Sequence, residues 1–281
     1  MKKIFKYILL LILFGTNQQN CLADTTISSP VTLTPTTILN ETYYWVGGTG
    51  NWNDLNHWST TSGGSIHYSA LPSATDNVIF DANSFPTTGQ TVTVNLTNAY
   101  CKNMDFTGST NSPTFTNSGT LSIGGSLTLI NSMTFNAGSL KFTSTTTGNT
   151  ITSAGKSLGS IYFDGVGGSW GLQDHALFYN LTLTNGAFKT NNYNMTFSDY
   201  GMLESNNSNV RSLDLGTSTI TLGSVMNVAW DISNKTNLIF SGASSTIVCT
   251  GYRADCCGNY FHGGGLVYGD LLFTRAATGG T

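Results

Sequence analysis

Charge is scarce in this chain: only 9% of its 281 residues are Asp, Glu, Lys or Arg, against roughly 25% in ordinary globular proteins. No cluster of Lys and Arg occurs past residue 6, so the basic stripe that nucleic-acid binding requires is missing. A basic helical face for a membrane surface is missing too. Beyond residue 23 no stretch keeps a helical apolar stripe for even three turns. Histidine is limited to four residues and cysteine to five, which leaves metal-binding and catalytic chemistry little to draw on. Low charge alone would suit disorder. Aromatic residues at 11% and abundant Val, Ile and Thr argue the opposite, because a disordered chain is poor in both.

Residues 1–23 carry Lys2, Lys3 and Lys6, then the run Tyr7 to Phe14, then Cys21-Leu22-Ala23. Charge, a short apolar core and small residues in that order are the pattern of a removable secretory signal. The apolar run is well short of the roughly 20 residues needed to span a bilayer. Bulky polar residues at 18–20 disfavour lipid attachment at Cys21. Export is expected, to the medium or the outer cell surface, with no integral membrane segment once the leader is gone. Its removal leaves eight basic residues against fourteen acidic ones. Residues 24–41, rich in Thr, Ser and Pro, read as an extended linker.

Past Leu71 the texture is monotonous. Val92-Thr93-Val94, Leu121-Ser122-Ile123, Leu140-Lys141-Phe142, Ile161-Tyr162-Phe163, Leu181-Thr182-Leu183 and Leu213-Asp214-Leu215 are apolar–polar–apolar triplets set between Gly, Asn and Ser. Period-two alternation bounded by turn residues is the strand signal, so the fold is expected to be all-β. Leu140–Gly155, Leu213–Gly223 and Leu238–Gly251 each hold a strand, a small-residue turn, a Thr-Ile strand and a closing Gly, and the last two begin 25 residues apart. Strands this short bury no face alone, but stacked coils share one core. Residues 76–281 are therefore expected to form a right-handed parallel β-helix of about eight coils at 20–25 residues each. A β-sandwich is the alternative.

Two further stretches give the chain a resemblance. Tyr43–Ser59 reads Y-Y-W-V-G-G-T-G-N-W-N-D-L-N-H-W-S, and Ile161–Asp174 reads I-Y-F-D-G-V-G-G-S-W-G-L-Q-D. With N-L-T-L-T-N-G at 180–186 and F-H-G-G-G-L-V-Y-G-D-L-L-F-T at 261–274, they resemble the repetitive extracellular β-helix proteins of bacteria, adhesin-like and autotransporter-passenger-like in texture. The resemblance implies a structural or adhesive surface protein and brings no catalytic set with it. Such proteins are typically longer, which leaves room for the repeats to run on beyond Thr281.

Within that frame the aromatic block, residues 42–75, is expected to cap the solenoid, with Trp45, Trp52, Trp58, Gly47, Gly48 and Gly50 as its parts. An uncovered end would expose strand edges and apolar core. The competing reading is a carbohydrate platform, with Asn51, Asn53, Asp54 and Asn56 bonding sugar hydroxyls.

Four cysteines survive leader removal. Cys101 and Cys249 lie about six coils apart, roughly 30 Å at ~4.8 Å per coil, beyond the ~7 Å limit for a disulfide. Cys101 is expected to be buried and unpaired, and Cys249 to pair with Cys256 or Cys257. Zinc on Cys249, Cys256, Cys257 and His262 is not expected, because the spacing lacks a C-x2-C knuckle. No cofactor is implied.

A polysaccharide-degrading enzyme would pair carboxylates for acid/base work. Asp164 and Asp174, around Gly165, Gly167, Gly168 and Trp170, are the best pair available. Lys and Arg are too sparse for a lyase groove, and the four histidines are scattered. The expected function is a non-catalytic structural or adhesive role, with glycans or neighbouring cell surfaces as partners. A carbohydrate-active enzyme or glycan-binding module is the alternative.

Overall fold

Residues 40–223, 228–250 and 261–274 are described by a computed structural model, and they fall within one compact unit that begins at Ile38. Leader, most of the linker, Cys256 and Cys257 lie outside the described residues. What the sequence pattern predicted is present: the chain is almost wholly β, and its parallel strands stack as a solenoid of about eight turns. Among the described residues the only helical element is a three-residue 3-10 segment, Leu55–His57. Parallel pairing between successive turns rules out the sandwich, whose sheets are antiparallel.

Each turn visits three faces in a fixed order. Face I carries Tyr43, Val78, Met104, Leu127 and Ile151 in register, and later Phe188, Leu213 and Phe240. Face II begins as a four-stranded parallel sheet through Gly50, Val92, Phe115 and Phe135. It resumes through Ala176, Met195, Ile220, Ile247 and Leu271. Face III runs Ala99, Leu121, Leu140, Ile161, Leu181 and Leu203, then Trp230 and Phe261. A ladder partner lies as few as 18 residues on, Trp170 to Phe188, or as many as 42, Gly50 to Val92 across the aromatic block. The difference is taken up at the corners.

Alternation in the triplets now has its cause. The first and third residues point inward, and the middle one points to solvent: Leu140 and Phe142 are buried, and Lys141 between them is half-exposed. Identical inward positions on successive turns stack like on like. Phe80 lies 4.1 Å from Phe106 with an 8° interplanar angle, and Phe142 lies 5.3 Å from its ladder partner Phe163. Those separations straddle the ~4.8 Å rise of neighbouring strands, so one ring per turn stacks into a continuous column. Burying each contributes about 1.5–3 kcal/mol.

The corners use small and polar residues because the chain bends sharply there. Gly138 and Gly159 hold the bend between faces II and III with φ of +57° and +64°. A Cβ on Gly159 would sit 2.6 Å from the Gly138 carbonyl. Between faces I and II the buried hydroxyls of Ser153, Thr190 and Ser218 donate to His175 O, Leu215 O and Thr190 Oγ1 respectively. Those bonds close corners that have no strand ladder of their own.

Candidate functional site

The aromatic block opens the ladder as part of its first turn. Strand Thr42–Trp45 pairs in parallel with Asn77–Ile79 on one side. On its other side it pairs antiparallel with Trp58–Ser59. That reversal ends the parallel stack: the first strand's outer edge is covered by the chain folding back on itself. All three indoles are 0% exposed, and Trp58 meets Trp45 at 4.9 Å and Trp52 at 4.7 Å, both edge-on. None presents a ring face to solvent, so a sugar platform here would have no platform. Trp45 Nε1 donates to Gly48 O and Trp58 Nε1 to Trp52 O, each at 2.7 Å, which satisfies the polar edge of both buried rings.

His57 stacks flat on Trp45, centroids 4.6 Å apart. A Cβ at position 50 would lie 2.0 Å from its Nε2. Gly50 is thus required by the close approach of an imidazole, a contact the spacing of the block did not signal. Gly47 and Gly48 adopt φ of +80° and +75°, the left-handed region open to glycine at little cost.

The carboxylate pair is not brought together. Asp164 follows face III, and Asp174 follows face I, so they occupy different corners of one turn. Each is engaged by structural partners. Asp174 Oδ1 accepts the Ser153 amide at 2.8 Å, and its Oδ2 accepts the amide of Ala154, whose φ is +50°. It pins a strained corner of the preceding turn. Asp164 bonds Lys141 Nζ at 2.8 Å and Asn185 Nδ2 at 2.8 Å. The Lys141 ammonium holds the Asp164 carboxyl below the usual carboxylate range against the opposing pull of burial, and Asn185 adds to the lowering.

That shift has a pH signature. A group whose pKa is lower folded than unfolded stabilises the fold above its unfolded value, ~3.9, and loses that contribution as pH falls through the folded value. Both partners are about one-third exposed, so the effect is under about 1 kcal/mol. Asp164→Asn is expected to lower the urea midpoint slightly at pH 7 and to match the parent near pH 2. An equal deficit at both pH values would contradict the pairing.

No disulfide is seen among the described residues. Cys101 and Cys249 are free and buried, and Cys249 takes an inward position in Thr246–Cys249, between Leu222 and Phe273 of the neighbouring turns. This corrects the expectation for Cys249: its sulfur faces the core and not the loop that follows. Burial pushes the Cys249 thiol up to about 11 and raises Cys101 as well. Both are protonated at pH 8 and shielded, and only thiolates react. Iodoacetamide at pH 8 is expected to leave both unmodified in the native chain and to label both in urea, as read by peptide mass spectrometry. Fast native labelling of Cys249 would contradict the inward placement.

His262 and Asp231 are cross-turn partners on face III, 3.8 Å apart. No group of three metal-ligating side chains occurs among the described residues. No helix among them is long and apolar enough to cross a membrane.

One residue the triplet reading passed over is Arg211. It is 2% exposed and points inward from face I. Its Nε donates to Ser205 Oγ at 2.6 Å, and its two terminal nitrogens bond the carbonyls of Asn209, Thr236, Ser205 and Asn234. Every acceptor is neutral, and the bonds tie the loop at 205–209 to the equivalent loop of the next turn. The available signal was parity: Arg211 is two residues before Leu213 and shares its face.

Two hollows on the outer side of face I adjoin one another. One, of about 190 Å³, has Ala187, Val210, Ser212 and Ile239 in its lining. The other, of about 300 Å³, has Asn149, Gln173, Lys189 and Asn191. They meet at Thr147 and Ser169. Comparison with protein-family models, with curated proteins and with solved structures finds no match to this chain.

Proposed function

We propose that this chain is an exported, surface-displayed β-solenoid with a structural and adhesive role and no catalytic activity, akin to the repetitive extracellular β-helix proteins its sequence resembles. The observation that carries the reading is the contrast between ladder and acids. The ladder is regular over about eight turns, and its outward positions form rows of hydroxyls, such as Thr91, Thr114 and Thr134 on face II. The acids best placed in the sequence for catalysis are taken up in corner and cross-turn bonds. Export is supported by the charged, apolar, small-residue order of residues 1–23.

The aromatic block serves in this reading as the seal of the first turn, since its antiparallel strand covers an edge that would otherwise recruit other chains. The test has two arms. Cell fractionation should find the chain outside the cytoplasm, and deletion of residues 2–23 should trap it inside. A polysaccharide panel should show no turnover. Turnover abolished by Asp164→Ala or Asp174→Ala would overturn the non-catalytic reading, and cytoplasmic full-length protein would overturn export.

A further inference from the structure

We propose that the joined hollows on the outer side of face I are a binding site for a linear, hydroxyl-rich glycan lying along the solenoid axis. This deepens the surface role above and rests on it.

The concavity has a structural origin. Ser169, Ala187, Ser212 and Ile239 are consecutive ladder partners, and the first three are small, while their inward neighbours are Trp170, Phe188 and Leu213. The floor is therefore low where the core beneath it is bulky. The Gly165–Gly168 segment, where the register between turns shifts, lies along the same depression.

Its polar end is built from three amides oriented by their own nitrogens. Asn149 Nδ2 donates to Thr146 O and Ser169 O at 2.7 and 3.0 Å. Asn191 Nδ2 donates to Leu172 O at 3.0 Å and Gln173 Nε2 to the same carbonyl at 3.0 Å. Asn191 is held in the left-handed region at φ +51° and drapes over Gly171, where a Cβ would come within 2.4 Å of its amide nitrogen. With the nitrogens engaged, each amide keeps an oxygen that receives no hydrogen bond from any described residue. Lys189 stands among them, its ammonium likewise without an acceptor among the described residues. Asp214 is its neighbour on the next turn.

Three fixed acceptors and one cation select a ligand rich in O–H donors. The other hollow adds an apolar strip: Val210 is 72% and Ile239 71% exposed, beside the small residues Gly167, Ser169, Ala187 and Ser212 of the same lining. A sugar chain offers both, hydroxyls at the ring edges and C–H groups on the ring faces. An extended peptide is disfavoured because the strands at 169–171, 186–189 and 211–214 are paired on both sides, which leaves an edge for strand addition only at the far end, on Leu238–Ser241. A nucleic acid would need more than one cation. From the turn of Asn149 to that of Ile239 is four steps, about 19 Å at ~4.8 Å each, the length of a short oligosaccharide.

The experiment is calorimetric titration of the full chain with a neutral glucan hexasaccharide, an oligogalacturonate of equal length and a Ser/Thr-rich peptide. Saturable binding of either glycan is expected. It should weaken at least tenfold in Ala187→Phe, which fills the depression without touching the amides. The same loss is expected in the Gln173→Ala, Asn191→Ala double variant, which removes acceptors without filling it. Tyr162→Ala, on face III, should bind as the parent does. Thermal melts of the variants report whether each is folded, and two independent variants guard against one that is not. No glycan binding, peptide binding in its place, or glycan binding indifferent to both variants would each overturn the site. The last leaves the adhesive role standing on another face, whereas sugar turnover would overturn that role itself.

Discussion

Trp58→Ala is expected to destabilise the first turn by about 3–5 kcal/mol, the range for removing a large buried aromatic. Trp58 packs edge-on against Trp45, Trp52 and Tyr43 at once, so its loss leaves a void with three aromatic walls. It also removes the donor to Trp52 O, and a buried carbonyl left unpaired adds about 1–3 kcal/mol. The effect is large against a total stability of about 5–15 kcal/mol for a typical domain. In a stacked repeat each turn rests on its neighbours, so the damage should stay at one end. Hydrogen exchange should show the amides of residues 42–59 and 77–80 losing protection first, while those near Trp170 keep theirs. Uniform loss along the solenoid would mean the block supports the whole ladder. Wild-type behaviour would mean it supports nothing.

How much of this could be read from the sequence differs by feature. Triplets such as Leu121-Ser122-Ile123 and Leu181-Thr182-Leu183 announce strands because alternation is local. Which strand lies against which is not local. Leu213–Gly223 and Leu238–Gly251 line up by eye at an offset of 25, but Leu213 pairs with Phe240 and Ile220 with Ile247, both at 27. The look-alike unit at Leu140 starts on face III and not on face I. Corner length sets the register, and Gly, Ser and Asn at corners tolerate any length. For the same reason Asp164 and Asp174 seemed a pair at ten residues' separation when the whole of face I divides them. The hollows on face I were invisible for this cause too, since Ser169, Ala187 and Ser212 become neighbours only once the register shift after Phe163 is known.

Arg211 was legible by parity and is the most exacting position in the core. Arg211→Met keeps the length and much of the volume of the side chain but removes all its donors. Five hydrogen bonds are lost, and four backbone carbonyls plus Ser205 Oγ must find water or remain unpaired. Burial lowers the pKa of the guanidinium, so desolvation weighs against the native charge, and methionine relieves that cost. The two effects oppose each other. Where a buried ion has a counter-ion, apolar replacement is often neutral or stabilising. Here the acceptors are neutral loop carbonyls that stay behind, and each orphaned group costs about 1–3 kcal/mol. Even with water reaching half of them, the loss wins, and Arg211→Met is expected to cost about 3 kcal/mol or more in urea unfolding. Arg211→Lys should fall between, because an ammonium offers three donors where a guanidinium offers five. The deficit should change little between pH 5 and 8, since no acceptor titrates. Hydrogen exchange should place the weakening at residues 205–209 and 234–237, the two loops the guanidinium joins. A methionine variant as stable as the parent would show that these carbonyls are fully hydrated without the arginine, and that adjacent turns are held by their ladders alone.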